Sequence, residues 1–415
     1  MGASPASTGE RRGLYYGWVV VAACLIIGTL AFSSRYSFGV FFKPLATDFS
    51  LNRAATSGII SLYMFLCGVS AILGGWLLDR FGPRKSVAAM GIFTGLSLLL
   101  ASQAQVLWHL YLSYSLLLAV GTGGIYTAIL ATASRWFIKR RGLAVAIVTS
   151  SLGLSVVISP ASAYLIAAYG WRVSYLILAF TGFLIIPLSL LLRLPARETL
   201  NLHEGEALET LNTRSAATSA GSPLVQTLKT RNFWLSFFMW FFLALCIFII
   251  VTHLVPHAID LGITATTAAA VLSTIGGVSI LGRVVTGRIS DNIGRKRTAI
   301  INTVMLALSM LWLIRADDLW GLYVFAVVFG FAWGGVNASF AGLVADVFGL
   351  QRLGVVVGIL DAGFDVGAAL GATFAGYIFD IRGSYTLAFL GGTTAMLVVT
   401  GLVPMLRIRG RSKTG

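Results

Sequence analysis

The sequence predicts an all-α membrane protein of twelve transmembrane helices, arranged as two parallel halves of six helices each. Three observations lead to this prediction: the composition, the length of the apolar runs and an internal repeat. Of the 415 residues, 57% are hydrophobic and only 11% are charged, whereas a soluble domain is typically about 25% charged. A chain this apolar cannot cover a water-exposed surface with polar groups, so lipid is expected to be its solvent.

Apolar runs recur along almost the whole chain, for example at 86–101, 173–192, 233–251 and 387–406. About 20 apolar residues are enough to cross a bilayer as a helix. Strands of a membrane barrel alternate between apolar and polar residues, and these runs do not alternate. They therefore indicate helices, and twelve such spans are predicted.

The positive charges lie mainly on one side of the predicted membrane. The formal net charge is +15, which taken alone would allow a nucleic-acid partner. Most of the Lys and Arg residues, however, fall in alternate connections, and the connections between them hold only Lys43, Arg53, Arg172, Arg315 and Arg382. The positive-inside rule then places both termini in the cytoplasm, and no nucleic-acid partner is expected.

A long polar segment divides the chain. The predicted organisation is an N-terminal six-helix half at 1–194, a cytoplasmic linker at 195–230 and a C-terminal six-helix half at 231–415. The halves overlay with one constant offset, the separation of Gly75 from Gly287. At that offset Gly75-x-x-x-Asp79-Arg80-x-Gly82-x-Arg84-Lys85 falls on Gly287-x-x-x-Asp291-Asn292-x-Gly294-x-Lys296-Arg297.

The same offset aligns two series of small residues. Each series has a small residue at every fourth position, which places its members on one helix face: Ser151, Ser155, Ser159 and Ala163 overlay Gly363, Gly367, Gly371 and Ala375. In lipid, such a face allows close approach of a neighbouring helix. The series therefore predict tight helix packing in both halves.

Four charged residues inside the predicted spans break the repeat: Arg35, Arg283, Asp361 and Asp365. A charge at a helix centre costs roughly 2.5–3.5 kcal/mol on insertion scales, so each of these residues is a functional candidate. Arg283 and Asp361 lie at similar depths and are able to pair. Arginine binds a carboxylate through two parallel hydrogen bonds, and Asp361 is a candidate proton carrier, with Asp365 one turn on as the alternative. A static ion pair is the other interpretation, and Arg35 is also interpreted as an outer-gate or interfacial residue.

The sequence contains no motif for nucleotide binding or metal binding. The Gly-x-x-x-x-Gly-Lys loop that binds nucleotide phosphates is missing. No cluster of His and Cys indicates a metal site. The protein is therefore predicted to be neither an enzyme nor a cofactor-dependent pump.

The repeated loop resembles the signature of the major facilitator superfamily, and this resemblance covers the whole chain. It implies the twelve-helix fold of that superfamily and a gating role for the loop residues Gly75, Asp79, Arg80, Gly82, Arg84, Asp291 and Arg295. Within the superfamily the chain resembles the monocarboxylate transporters and their bacterial relatives, near the oxalate–formate antiporters. The residues that carry this similarity are Gly17-Trp18-Val19-Val20, Trp136-Phe137-x-Lys139-Arg140-Arg141-Gly142, and Arg283 in the eighth span.

The resemblance implies a proton-coupled symporter of small monocarboxylates, such as lactate or pyruvate, working by alternating access. An organic-anion exchanger of the oxalate–formate type is the alternative. The implied setting is the bilayer of a bacterial inner membrane, with the protein as a monomer and with a small carboxylate and a proton as its partners. Expected substrate-binding residues are Arg283, Ser279, Tyr126, Asn337, Phe340, Arg35 and Tyr36, with His253 and Trp333 as further candidates along the path.

Overall fold

A computed structural model describes residues 16–137, 141–193, 228–348 and 353–407, and within these ranges helices are joined by short turns and loops. We use "N-terminal segment" for 16–193 and "C-terminal segment" for 228–407. Most of the predicted linker at 195–230 lies outside the described residues. The prediction of two six-helix halves joined by a linker therefore stays a prediction.

The N-terminal segment begins with two helices interrupted at Ser37. Its α-helices in chain order are α1 Tyr16–Tyr36, α2 Phe38–Asp48, α3 Arg53–Ser102, α4 Leu107–Leu110, α5 Leu118–Thr122, α6 Ile125–Trp136, α7 Arg141–Thr149, α8 Ser151–Val157 and α9 Ser159–Ser189, with a π-helix at Tyr111–Leu117 between α4 and α5. The breaks at Ser37 and Ser150 interrupt helices that otherwise continue, and both breaks lie beside the central cavity described below.

The C-terminal segment contains six long helices. They are α10 Arg231–Asp260, α11 Ala265–Ile293, α12 Arg295–Leu313, α13 Leu319–Phe348, α14 Leu353–Arg382 and α15 Thr386–Met405. The N-terminal ends of α10 and α11 are capped by the hydroxyl groups of Thr230 and Thr264, which accept backbone N–H groups three residues on.

Within the described residues, nine helical stretches are long and apolar enough to cross a membrane. Two of them, α3 and the run from Gly142 to Ser189, bend at Gly82 and Gly170, where φ is +76° and +79°. Positive φ favours glycine because it has no Cβ. Twelve spans result if each of these two stretches is counted as two spans, divided at its bend, and if α12 is counted as a further span. The count of twelve stays a prediction.

The predicted repeat has a structural counterpart at the signature loop. Gly82 and its repeat partner Gly294 both adopt positive φ, +76° and +93°, so each copy turns its chain sharply between two helices. The end of the molecule that holds these two turns is called the motif end below. The prediction from the charge pattern places the motif end in the cytoplasm.

The small-residue series packs as predicted. A Cβ on Gly367 would lie 2.1 Å from the carbonyl oxygen of Phe241, and one on Gly371 would lie 2.3 Å from that of Leu245. Helix α14 therefore rests directly on the backbone of α10. In the N-terminal segment, a Cβ added to Gly28 would lie 2.6 Å from the side-chain Oγ of Ser151, so the two helices also approach closely at this point. The prediction of close helix contact through these faces is confirmed.

Candidate functional site

A cavity of about 600 Å³ lies between the two segments. Its wall includes six of the predicted substrate-binding and proton-coupling residues, namely Arg35, Tyr36, Tyr126, Asn337, Asp361 and Asp365. It also includes residues that the sequence reasoning did not select, chiefly Trp240 and Phe364. The cavity is of the size that binding sites for small organic molecules usually have, roughly 300–1,000 Å³.

The cavity opens toward the motif end. Its wall extends along α3 to Gly75 and Trp76 and along α14 to Gly358. At mid-depth the two helices still touch, since a Cβ on Gly68 would lie 3.6 Å from the Cβ of Asp365. At Gly75 and Gly358 an added Cβ would meet no atom within 4 Å. Helices α3 and α14 thus separate from mid-depth toward the motif end.

The opposite end is closed by a charged network that joins the two segments. Asp260 accepts from Arg53 Nη2 at 2.6 Å and from Lys43 Nζ at 2.7 Å. Asp380 accepts the backbone N–H groups of Arg53 and Ala54 at 2.9 and 2.7 Å. A carboxylate at this position is favoured by the partial positive charge of a helix N-terminus.

Below these ion pairs lies a buried hydrogen-bonded chain around His253. Its Nε2 is 2.9 Å from the carbonyl oxygen of Ala372, which only accepts, so Nε2 carries the proton and Nδ1 accepts from the Tyr385 hydroxyl at 3.1 Å. Tyr385 in turn accepts from Arg53. His253 was a candidate for the transport path, but the structure places it in this closure and outside the cavity wall.

Arg35 is the charged centre of the cavity. Its Nη2 lies 3.3 Å from Asp365 Oδ1, with the two side chains 11% and 13% exposed. The guanidinium also lies 5.1 Å from the ring centroid of Phe248 and 5.7 Å from that of Tyr36, within the range of cation–π attraction. Asp361, one turn before Asp365 in α14, lines the cavity and has no ion-pair partner among the described residues.

The structure does not form the ion pair that was considered between Arg283 and Asp361. Arg283 is buried and donates through Nη1 to the backbone carbonyl of Thr149. Thr149 is the last residue of α7, and carbonyls at a helix end lack intrahelical partners. Arg283 satisfies this carbonyl and lies outside the cavity wall.

Ser279 and Phe340 also lie outside the cavity wall. Ser279 donates to the carbonyl of Gly276 in its own helix, at 2.7 Å, and its backbone oxygen is 1.9 Å from an ideal Cβ on Gly334. Ser279 therefore lies at the packing interface between α11 and α13. Phe340 is buried against Trp240, with ring centroids 6.0 Å apart. Asn337 remains in the cavity wall, where its Nδ2 donates to the Trp333 carbonyl at 2.9 Å.

The predicted gating residues lie around the open end. Asp79, Arg80 and Arg84 are exposed, and Asp79 has no ion-pair partner in the described part of the chain. Arg295 pairs with Asp346 at 2.6 Å within the C-terminal segment. The side chain of Asp291 lies outside what the structure describes. Among the described residues Asp79 forms no ion pair with the C-terminal segment, which agrees with the separation of α3 and α14 at this end.

Together, these features define a multi-pass membrane protein with a charged cavity between two described segments, closed at one end and open at the other. This is the arrangement of a carrier. The family model described as the Major Facilitator Superfamily matches residues 24–291 and 257–415. The chain belongs to the major facilitator superfamily, and it is a transporter of that superfamily and not an enzyme.

Individual proteins within this superfamily are also similar to the chain. Monocarboxylate transporter 13 of Rattus norvegicus is 30% identical over 396 residues, which cover 94% of this chain and 88% of that protein. Monocarboxylate transporter 11 of Mus musculus is 28% identical over 387 residues, covering 90% and 84%. The crystal structure of a D-xylose–proton symporter superposes with a TM-score of 0.72 over 92% of this chain and 97% of that chain, at 17% identity, which shows a shared fold.

Proposed function

We propose that the protein is a proton-coupled symporter of monocarboxylates, in which Arg35 binds the carboxylate and Asp365 carries the proton. The observation that carries this proposal is the Arg35–Asp365 ion pair in the cavity wall. The similarity to monocarboxylate transporters supports the class of substrate. Lactate and pyruvate are the proposed substrates of this class. The proposed location is a bacterial inner membrane.

The charges of the cavity favour the entry of an anion together with a proton. With all three groups ionised, Arg35, Asp361 and Asp365 give the wall one positive and two negative charges. A carboxylate that entered alone would add a further negative charge to a partly desolvated site, which is costly. When a proton binds Asp365, Arg35 is released, and the substrate carboxylate takes the place of the aspartate. One charge pair then replaces another at no net change in charge.

Two other residues have proposed supporting roles. Asp361 is the second candidate proton carrier, because it lies in the wall one turn from Asp365. Arg283 is proposed to reach the substrate only after it leaves the Thr149 carbonyl, since it lies outside the wall in this conformation. The gating motif at Gly75, Asp79, Arg80, Gly82 and Arg84, with Asp291 and Arg295, is proposed to close the motif end when the opposite end opens.

The proposal is tested by uptake of labelled lactate into liposomes that contain the purified protein. An inward proton gradient is expected to drive accumulation, and a protonophore is expected to abolish it, after subtraction of uptake by protein-free liposomes. Accumulation that ignores the gradient but requires an anion inside the liposomes would contradict symport.

Exchange of organic anions is the second candidate function, and one observation favours it. The charges of Arg35 and Arg283 both act on the Tyr36 hydroxyl, and if Arg283 leaves the Thr149 carbonyl and enters the cavity, the two guanidinium groups would suit a dicarboxylate such as oxalate. In the same liposomes, strict dependence on internal oxalate or formate would support exchange.

A further inference from the structure

The cavity is much larger than a carboxylate head group requires, and most of the rest of its wall is apolar and aromatic. Arg35 and Asp365 occupy one part of a space of about 600 Å³. Cavities in the range of roughly 300–1,000 Å³ usually enclose ligands of drug-like size. The methyl group of lactate would leave most of this space to water.

Each segment contributes an aromatic pair to the wall. Phe32 and Tyr126 of the N-terminal segment meet edge to face, with ring centroids 6.3 Å apart. Trp240 and Phe364 of the C-terminal segment meet in the same manner at 5.9 Å. All four residues line the cavity. Aromatic rings prefer such edge-to-face or offset arrangements, and an added ring extends them favourably.

The aromatic wall is continuous with the charged centre. The Arg35 guanidinium lies 5.1 Å from the Phe248 ring, and Phe248 packs edge to face on Phe364 with centroids 6.2 Å apart. A ligand whose carboxylate binds Arg35 thus has aromatic side chains next to its remaining atoms.

We propose that the preferred substrate is a monocarboxylate with an aryl side group, such as a 3-aryl-2-hydroxy or 3-aryl-2-oxo acid. This inference rests on the proposed function for the binding of the carboxylate and adds the chemistry of the side group. Burial of the aryl group against the aromatic pairs supplies the affinity that the lactate methyl group does not supply.

The experiment compares lactate with 3-phenyllactate, which share the 2-hydroxy acid head group and differ only in the phenyl ring. Counterflow in liposomes that contain the purified protein gives the half-saturating concentration of each acid. We expect that of phenyllactate to be lower by about tenfold or more, as burial of a ring predicts. Protein-free liposomes give the passive leak of both acids.

Variants then locate the effect. Phe364→Leu is expected to reduce the advantage of phenyllactate over lactate by about fivefold, because an apolar side chain remains but the aromatic contact is lost. Trp320→Leu is the matched control, since Trp320 is 78% exposed and does not line the cavity. It is expected to leave both half-saturating concentrations unchanged.

The possible outcomes separate this inference from the proposed function. Transport of lactate with an equal or lower half-saturating concentration than phenyllactate would overturn the aryl preference and leave carboxylate symport standing. Equal effects of Phe364→Leu on both acids would also overturn it. Transport of neither acid would overturn the proposed function and this inference with it.

Discussion

Arg35 and Asp365 form an ion pair across the cavity, with Nη2 and Oδ1 3.3 Å apart, and they belong to different segments of the chain. Arg35 stands at the end of α1, just before the break at Ser37, and Asp365 lies within α14. The pair therefore links the two segments at the depth where α3 and α14 begin to separate. Loss of this pair on protonation changes both the charge of the site and a contact between the segments.

Arg35→Lys tests the role of the guanidinium. Lysine keeps the positive charge but cannot form two parallel hydrogen bonds with a carboxylate. We expect the half-saturating concentration for lactate to rise by about 10- to 100-fold, the range for loss of a charge-assisted hydrogen bond. Binding measured by counterflow checks this, and unchanged affinity would exclude Arg35 as the carboxylate ligand.

Arg283→Lys tests whether Arg283 serves the substrate or the fold. A lysine ammonium is also able to donate to the Thr149 carbonyl, so the melting temperature is expected to stay close to that of the wild type. If Arg283 binds substrate in another conformation, the maximal rate of uptake falls by about tenfold or more, as loss of a charged hydrogen bond predicts. Full activity with unchanged stability would remove Arg283 from the transport cycle.

The closure at the end opposite the motif end is tested through Cys67, which lines the cavity. Asp260→Asn weakens the ion pairs to Lys43 and Arg53. In a background with Cys24 and Cys246 replaced by alanine, an impermeant maleimide added from that opposite side is expected to label Cys67 about three- to tenfold faster, as the loss of ~1 kcal/mol predicts.

Arg172→Gln supplies the matched control for this labelling. It breaks the ion pair with Asp48, whose Oδ2 lies 2.9 Å from Arg172 Nη2, but both residues belong to the N-terminal segment. The labelling rate is expected to stay at that of the parent. Equal acceleration by both substitutions would mean that the Asp260 network does not hold the segments together.

Tyr114→Phe tests the support of the helix break beside Arg35. The buried Tyr114 hydroxyl donates to the Ser34 carbonyl at 2.8 Å, and Ser34 immediately precedes Arg35. Removing the hydroxyl leaves a buried carbonyl with one partner fewer, which is expected to cost about 1 kcal/mol of stability. Thermal unfolding in detergent checks the cost, and a raised half-saturating concentration for lactate is expected alongside it. A stability equal to the wild type would contradict this role.

Much of the fold was predictable, because it depends on patterns along single helices. The loops that hold Gly82 and Gly294 follow from the repeated motif between the predicted spans, and the close packing through Gly367 and Gly371 follows from the spacing of small residues. Arg35 and Asp365, which line the cavity, were also selected from the sequence as candidates, because buried charges that break the repeat require a specific reason.

The partners of these residues were not predictable in the same way. Depth along a helix axis allowed Arg283 to reach Asp361, but the rotation of α11 directs Arg283 to a carbonyl at the end of α7. Tyr126 of the aromatic wall was predicted, but Trp240 and Phe364 were not, because only charged residues were compared between the two halves. Trp240 and Phe364 overlay Gly28 and Leu152 at the same offset, so the same comparison applied to aromatic residues identifies both.

The closure around Arg53 was missed for a different reason. Arg53, Asp260 and Asp380 lie at helix ends, where charged residues are common and carry no distinguishing pattern. Only the three-dimensional arrangement shows that Asp380 caps α3 and that Asp260 binds Lys43 and Arg53 together.

The central claim is that protonation of Asp365 releases Arg35, which then binds the substrate carboxylate in place of the aspartate. Its most direct test is Asp365→Asn in liposomes, with proton-driven accumulation of lactate and lactate counterflow measured on the same preparation. The asparagine side chain is neutral at all pH values, so we expect accumulation to be lost while counterflow is retained. Accumulation at the wild-type level would contradict the account.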